Sequence, residues 1–130
     1  MSKPLLAFSV GLLLAAAHPA GAQDVHDHVN MGIAAVQAHD LATGLAHFEA
    51  ALALDSMSYE ANWRGAIAMM DEGEMSPDSL KSARRDSLYA GAETLARRAV
   101  TADSSRAEGH FALAAAIGRA VEARHHEHRP

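Results

Sequence analysis

The chain is predicted to be all-α, an array of helical hairpins, and three observations predict it. Residues 48–63, FEAALALDSMSYEANW, read as the end of one amphipathic helix, a polar break at Asp55-Ser56-Met57-Ser58, and the start of a second helix carrying Ala61 and Trp63. The same layout returns 48 residues later in ARRAVTADSSRAEGHF, with Ala99 at the place of Ala51, Val100 at that of Leu52, Asp103 at that of Asp55 and Phe111 at that of Trp63. No stretch has the alternating pattern of a strand. A helix, a short turn and a second helix recurring at a fixed offset mark a solenoid rather than a closed core.

Taken in order, the first helix is expected over 25–39, with Asp24 as its cap. Val29, Gly32, Ile33 and Val36 fall at three- and four-residue spacing and give it one apolar stripe. Gly32 costs roughly 1 kcal/mol relative to alanine inside a helix, and close approach of a second helix over 42–54 is the expected return. A third helix is expected over 59–70, ended by Asp71-Glu72-Gly73-Glu74, with Trp63 read as core at helical spacing from Ile67 and Met70. Ser76-Pro77 is the expected start of the next helix, serine as cap and proline in its first position, running to about Thr101. Residues 71–85 are then either a helical extension or a lid. Asp103-Ser104-Ser105 breaks that helix, a last one is expected over 107–122, and 123–130 reads as a polar, His-rich tail.

These residues resemble the tetratricopeptide repeat, a pattern of about 34 residues per helical pair. Over 25–58, Gly32 takes the glycine position and Phe48, Ala51, Leu52 and Ser56 take the aromatic, alanine, leucine and closing positions. A second unit over 59–106 resembles a repeat lengthened by about fourteen residues, in which Tyr89, Ala92, Ala99 and Val100 return to the pattern while Ala66 replaces the small glycine and Ala96 the second aromatic. A third unit, 107–122, has only its first helix, beginning at Ala107 and carrying Phe111. The lengthened second unit and the AEGHFALA opening of the third are also similar to bacterial exported relatives of the regulator-of-microtubule-dynamics proteins. The resemblance implies a right-handed array of about two and a half repeats, with ligands, usually protein or peptide segments, on a concave face lined by the first helix of each repeat. On this chain that face would hold Asn30, Ala34, Asn62, Ala66, His110 and Ala114.

Composition narrows the function. A formal charge of -5, from 11 Lys and Arg against 16 Asp and Glu, argues against a nucleic-acid backbone as partner. Cysteine is absent, which excludes thiolate ligands, thiol nucleophiles and a disulfide framework. Residues 1–22 read as a secretory signal: Lys3 is a positive start, an apolar run follows over 5–17, and Ala20-Gly21-Ala22 precedes Gln23 in the small-x-small form of a cleavage site. The mature domain is expected over 23–122, periplasmic or secreted, and membrane-associated only through that signal before cleavage.

Catalytic chemistry finds no motif. There is no G-x-S-x-G elbow, no phosphate-binding loop and no H-E-x-x-H pair, since His126-Glu127-His128 sets its histidines two apart. Nine histidines are many for this length, yet His26 and His28 do not share a helical face and His125, His126 and His128 lack a framework, so neither metal nor cofactor is expected. The reading is a non-enzymatic protein- or peptide-binding scaffold. A metal-handling or small-ligand protein and a truncated repeat protein are the alternatives. The apolar face of the last helix, with Phe111, Leu113, Ile117 and Val121, is either a cap or half of an unfinished repeat, and it makes a homodimer through this helix an expectation.

Overall fold

The computed structural model describes residues 20–76 and 83–127, with side chains for 21–76 and 83–125. The described part of the chain is all-α: α1 (Ala20–Gln37), α2 (Leu41–Leu54), α3 (Tyr59–Met75), α4 (Ala83–Ala102) and α5 (Ala107–Glu127). Each helix packs chiefly on its neighbours in sequence, α1 with α2 and α3 with α4 as hairpins, and α3 also touches α5 and, lightly, α1. This is a helical-repeat arrangement of successive hairpins. Residues 1–19 of the expected export signal, together with Pro77, Lys81 and His128, lie outside the described residues.

The turns repeat as the sequence does. After α2, the Asp55 carboxylate accepts from the Met57 N–H at 3.0 Å; after α4, the Asp103 carboxylate accepts from the Ser105 N–H, also at 3.0 Å. Both aspartates also donate their own N–H into the helix just ended, to Ala51 and Ala99. Aspartate suits this place because its short side chain replaces a backbone partner two residues on. The turn inside the first hairpin is built differently. His39 adopts φ 62°, and the N–H groups of His39 and Asp40 return to the carbonyls of Val36 and Ala35. That is the left-handed helix ending usually given to glycine. Asp40 then caps α2 by accepting from the Thr43 N–H at 3.1 Å, which holds its carboxyl below the usual range.

Close helix approach organises the first hairpin. Phe48 is 2% exposed and lies on Gly32, where a methyl group would stand 2.5 Å from its ring. The second hairpin and α5 meet through a seam in which Ala92, Ala96, Ala112 and Ala116 are wholly buried, joined by Met70, Tyr89 and Leu95. Side chains this small bury little area each, but they bring helix axes toward the low end of the usual spacing of about 8–10 Å.

Three boundaries differ from expectation. Asp24 lies inside α1 and caps nothing, and Ala20-Gly21-Ala22 belongs to the same helix. α3 does not stop at Met70 but runs through Asp71-Glu72-Gly73-Glu74 to Met75. Gly73 is buried there for space rather than for a turn, since an added methyl would stand 2.6 Å from the Tyr89 ring. The described parts of the lengthened unit are therefore helical extensions of α3 and α4, tied by an Arg84 to Glu72 ion pair. α5 likewise continues past Glu122 to Glu127 because Ala123, 7% exposed, packs into the cluster that contains Tyr89. The polar tail is thus helical through Glu127.

Candidate functional site: a groove between the first helices

α1 and α3, the first helices of the two hairpins, do not close fully on each other, and between them lies a groove enclosing about 150 Å³. Ile33, Val36 and Gln37 line it from α1, and Trp63, Arg64, Ile67 and Asp71 from α3, with Phe48 of α2 at its floor. On α3 the lining residues follow helical spacing, 63 and 67, then 64 and 71, so one face of the helix supplies them all. The walls are mostly apolar, and a charge of each sign stands on α3 seven residues apart, about 10 Å along the axis.

The Arg64 end is held by hydrogen bonds. The Glu60 carboxylate accepts from Arg64 Nε at 2.9 Å, from Trp63 Nε1 at 3.1 Å and from the Arg106 guanidinium at 2.7 Å. Arg64 also lies over the Trp63 ring, 4.2 Å from its centroid, a cation–π arrangement. Burial pushes the Glu60 carboxyl up, but the bonds from Arg106 and Arg64 outweigh it and hold the group below its usual range. At the other end, burial of part of the Asp71 carboxyl, helped by the nearby Glu74 charge and opposed by Arg119, raises it above the usual range.

Arg106 belongs to a second feature, a polar seam joining the starts of α3 and α5. Its guanidinium stacks 4.0 Å over the Tyr59 ring and reaches Glu60 and Glu108 together. The Tyr59 hydroxyl accepts from the Gly109 N–H at 2.8 Å and donates to Glu108 at 3.2 Å. Gly109 is in the first turn of α5, where N–H groups lack helical partners. α3 is capped by its own Ser58, but α5 is capped by a side chain of α3. Spacing did not reveal this bond, because its partners are 50 residues apart.

The six residues expected on a concave face are not brought together. Asn30 and Ala34 are exposed on α1, beside the groove-lining Ile33. Asn62 and Ala66 are wholly buried and present no surface. Asn62 donates from Nδ2 to the carbonyls of Ser56 and Ser58, at 2.9 and 2.8 Å, and so pins the turn before α3. The face α3 offers is displaced by one residue, to Trp63, Arg64 and Ile67. His110 and Ala114 are exposed on α5, away from the groove. Among the positions read as structural, Gly32, Phe48, Ala51, Tyr89, Ala92 and Ala99 are buried and Leu52 and Trp63 half-buried, but Phe111 is 68% exposed, because no described helix covers that side of α5.

One histidine contact also escaped the sequence. His28 of α1 and His47 of α2 bring their Nδ1 atoms to 3.2 Å, one ring nitrogen donating to the other across the hairpin. His26 is exposed and takes no part. Among the described residues, no group of three or more His, Asp or Glu side chains is placed to hold a metal ion. No protein-family model matches the chain, and neither the curated proteins nor the solved structures contain a match to it.

Proposed function

We propose that this chain is a non-enzymatic binding scaffold of the tetratricopeptide type, a right-handed array whose α1–α3 groove receives an extended peptide segment. The observation that carries the reading is the groove itself: an apolar trough between the first helices of consecutive hairpins, with Ile33, Trp63 and Ile67 as walls and Arg64 and Asp71 along its length. Turn chemistry repeated at an offset of 48 residues supports the repeat half of the reading. The spacing of the two charges matches three residues of extended chain, each advancing about 3.3 Å. The ligand is therefore a segment in which two residues, at least one of them bulky and apolar, separate an acidic residue, facing Arg64, from a basic one, facing Asp71.

Burial of one such side chain contributes about 1.5–3 kcal/mol, so a short peptide binds weakly, with a dissociation constant on the order of 10 mM. Capped peptides of the form Glu-x-x-Lys, with both x as Leu, Phe or Ala, are titrated against the isotopically labelled chain. Saturable shifts at Ile33, Trp63 and Ile67 are expected for Leu or Phe, lost with Ala and lost in Ile67→Glu. Shifts scattered over other surfaces, or none, count against the groove. The scaffold acts outside the inner membrane, supported by the signal read at 1–22; an exported product whose intact mass begins at Gln23 is expected, and an uncleaved chain overturns the address.

A further inference from the structure

His28 and His47 face each other across the first hairpin, 19 residues apart in the chain, with their Nδ1 atoms at 3.2 Å and their ring centroids at 5.4 Å. Both rise from backbone that the core holds in place: the residues that follow them, Val29 on α1 and Phe48 on α2, are 5% and 2% exposed. The two histidines themselves are half-buried, so water and ions reach the pair. Their separation carries the chemistry. Two imidazole nitrogens bound to one zinc ion at roughly 2.0–2.1 Å lie about 3.3–3.4 Å apart at the tetrahedral angle, and about 2.9 Å apart at a right angle. The observed 3.2 Å falls between these values and close to the first, so an ion is accommodated by turning the two rings, with neither helix displaced.

We propose that this pair is a zinc site, with Nδ1 ligands from two helices and water in the remaining positions. Among the described residues no group of three or more His, Asp or Glu side chains converges on an ion, so the site is an open one, weaker than a closed structural site of four protein ligands. In the metal-free chain one Nδ1 carries a proton and donates it to the other. Binding moves that proton, through solvent, to Nε2 of the same ring. Both Nδ1 lone pairs then face the ion, the two imidazoles stay neutral and no net proton is released. Imidazole suits zinc and its neighbours in the first transition row, whereas magnesium and calcium take oxygen ligands. Because the ligands belong to α1 and α2, the ion ties the hairpin together and selects the folded chain. Histidines close together in sequence, such as those at 125, 126 and 128, need no folded hairpin to hold an ion and give no such coupling. The pair shares no residue with the groove between α1 and α3, so its failure leaves the peptide reading untouched.

With two protein ligands, half the number in a closed site, the dissociation constant for zinc is on the order of 10–100 µM. Urea unfolding of the untagged chain is compared without metal, with about 1 mM zinc chloride and with the same concentration of magnesium chloride. Zinc is expected to lower the unfolding constant about ten- to a hundredfold, and magnesium to leave it unchanged. His28→Gln and His47→Gln are each expected to abolish the zinc response, whereas replacing His125, His126 and His128 together by Gln is expected to preserve it. Nitrogen-15 spectra of the unaltered chain give an answer that does not depend on the variants folding: zinc is expected to move the Nδ1 signals of His28 and His47 to the position of metal-bound nitrogen, while both Nε2 keep their protons. No zinc response, or an equal response to magnesium, overturns the proposal. So does a response that survives either single replacement or vanishes with the tail histidines, and so do Nδ1 signals that stay where they were.

Discussion

α3 and α5 begin alike and end up in different surroundings. Aligned at the offset of 48 residues, Glu60 corresponds to Glu108, Ala61 to Gly109, Asn62 to His110, Trp63 to Phe111 and Ala66 to Ala114. In α3, Asn62 and Ala66 are wholly buried and Trp63 half-buried; in α5, His110, Phe111 and Ala114 are all exposed. The helices do not differ in kind. α3 has helices packed on several sides, whereas α5 packs on α4 and α3 and leaves its outward side open. In a stacked array, the burial of a position depends on how many neighbours its helix has, and the pattern along the helix says only which stripe is covered first.

Paired substitutions at equivalent positions test this most sharply. Ala66→Glu buries an unpaired charge and is expected to destabilise by about 3–5 kcal/mol, whereas Ala114→Glu, measured at a dilution where the chain is monomeric, is expected to stay within about 0.5 kcal/mol. Asn62→Ala removes both Nδ2 bonds, leaving the Ser56 carbonyl without its donor while that of Ser58 keeps the backbone N–H of residue 62, and is expected to cost about 1–3 kcal/mol; His110→Ala removes only an exposed bond to the Ser104 carbonyl and is expected to cost about 0.5 kcal/mol. Urea unfolding of the four variants decides it. Equal losses within either pair would mean that α5 is covered on its outward side in solution as α3 is.

A smaller effect concerns the place where the two helices are tied together. The Glu60 carboxyl is held below its usual range in the folded chain, so its contribution is present above the unfolded glutamate value of about 4.3 and is lost as pH falls through the folded value. Stability is therefore expected to drop on acidification from pH 5 toward pH 3, by less in Glu60→Gln than in the unaltered chain. Asp40, Asp103 and Glu108 are depressed as well and supply the part of the acid dependence that remains in the variant. An identical acid profile in the two proteins would remove Glu60 from the seam. Amide exchange at Gly109 gives the finer view, since Tyr59→Phe removes its acceptor and is expected to speed exchange there while leaving Ala61, capped by Ser58, unchanged.

The helices and the two inter-hairpin turns were legible in the sequence because their causes are local. Asp55 and Asp103 act on groups two residues away, and apolar spacing within a helix is a property of that helix. What was misread has distant causes. Gly73 looks like a breaker until the Tyr89 ring is seen lying on it, and the tail looks polar until Ala123 is found in the same cluster. The side of α3 open to the groove lies one residue from Asn62 and Ala66, which the repeat resemblance put there, because those two are covered by neighbouring helices. Arg106 likewise acts at a distance, its guanidinium reaching Glu60, 46 residues earlier in the chain.

The position of Trp63 has a further use. It is the chain's one tryptophan, and its ring is a wall of the groove, partly open to solvent, with a cation stacked on it. Indole emission moves to shorter wavelength when water leaves the ring, so the molecule carries its own optical indicator at the proposed peptide site. Occupation of the groove should register in that colour. One cuvette can therefore follow the site without any label being attached.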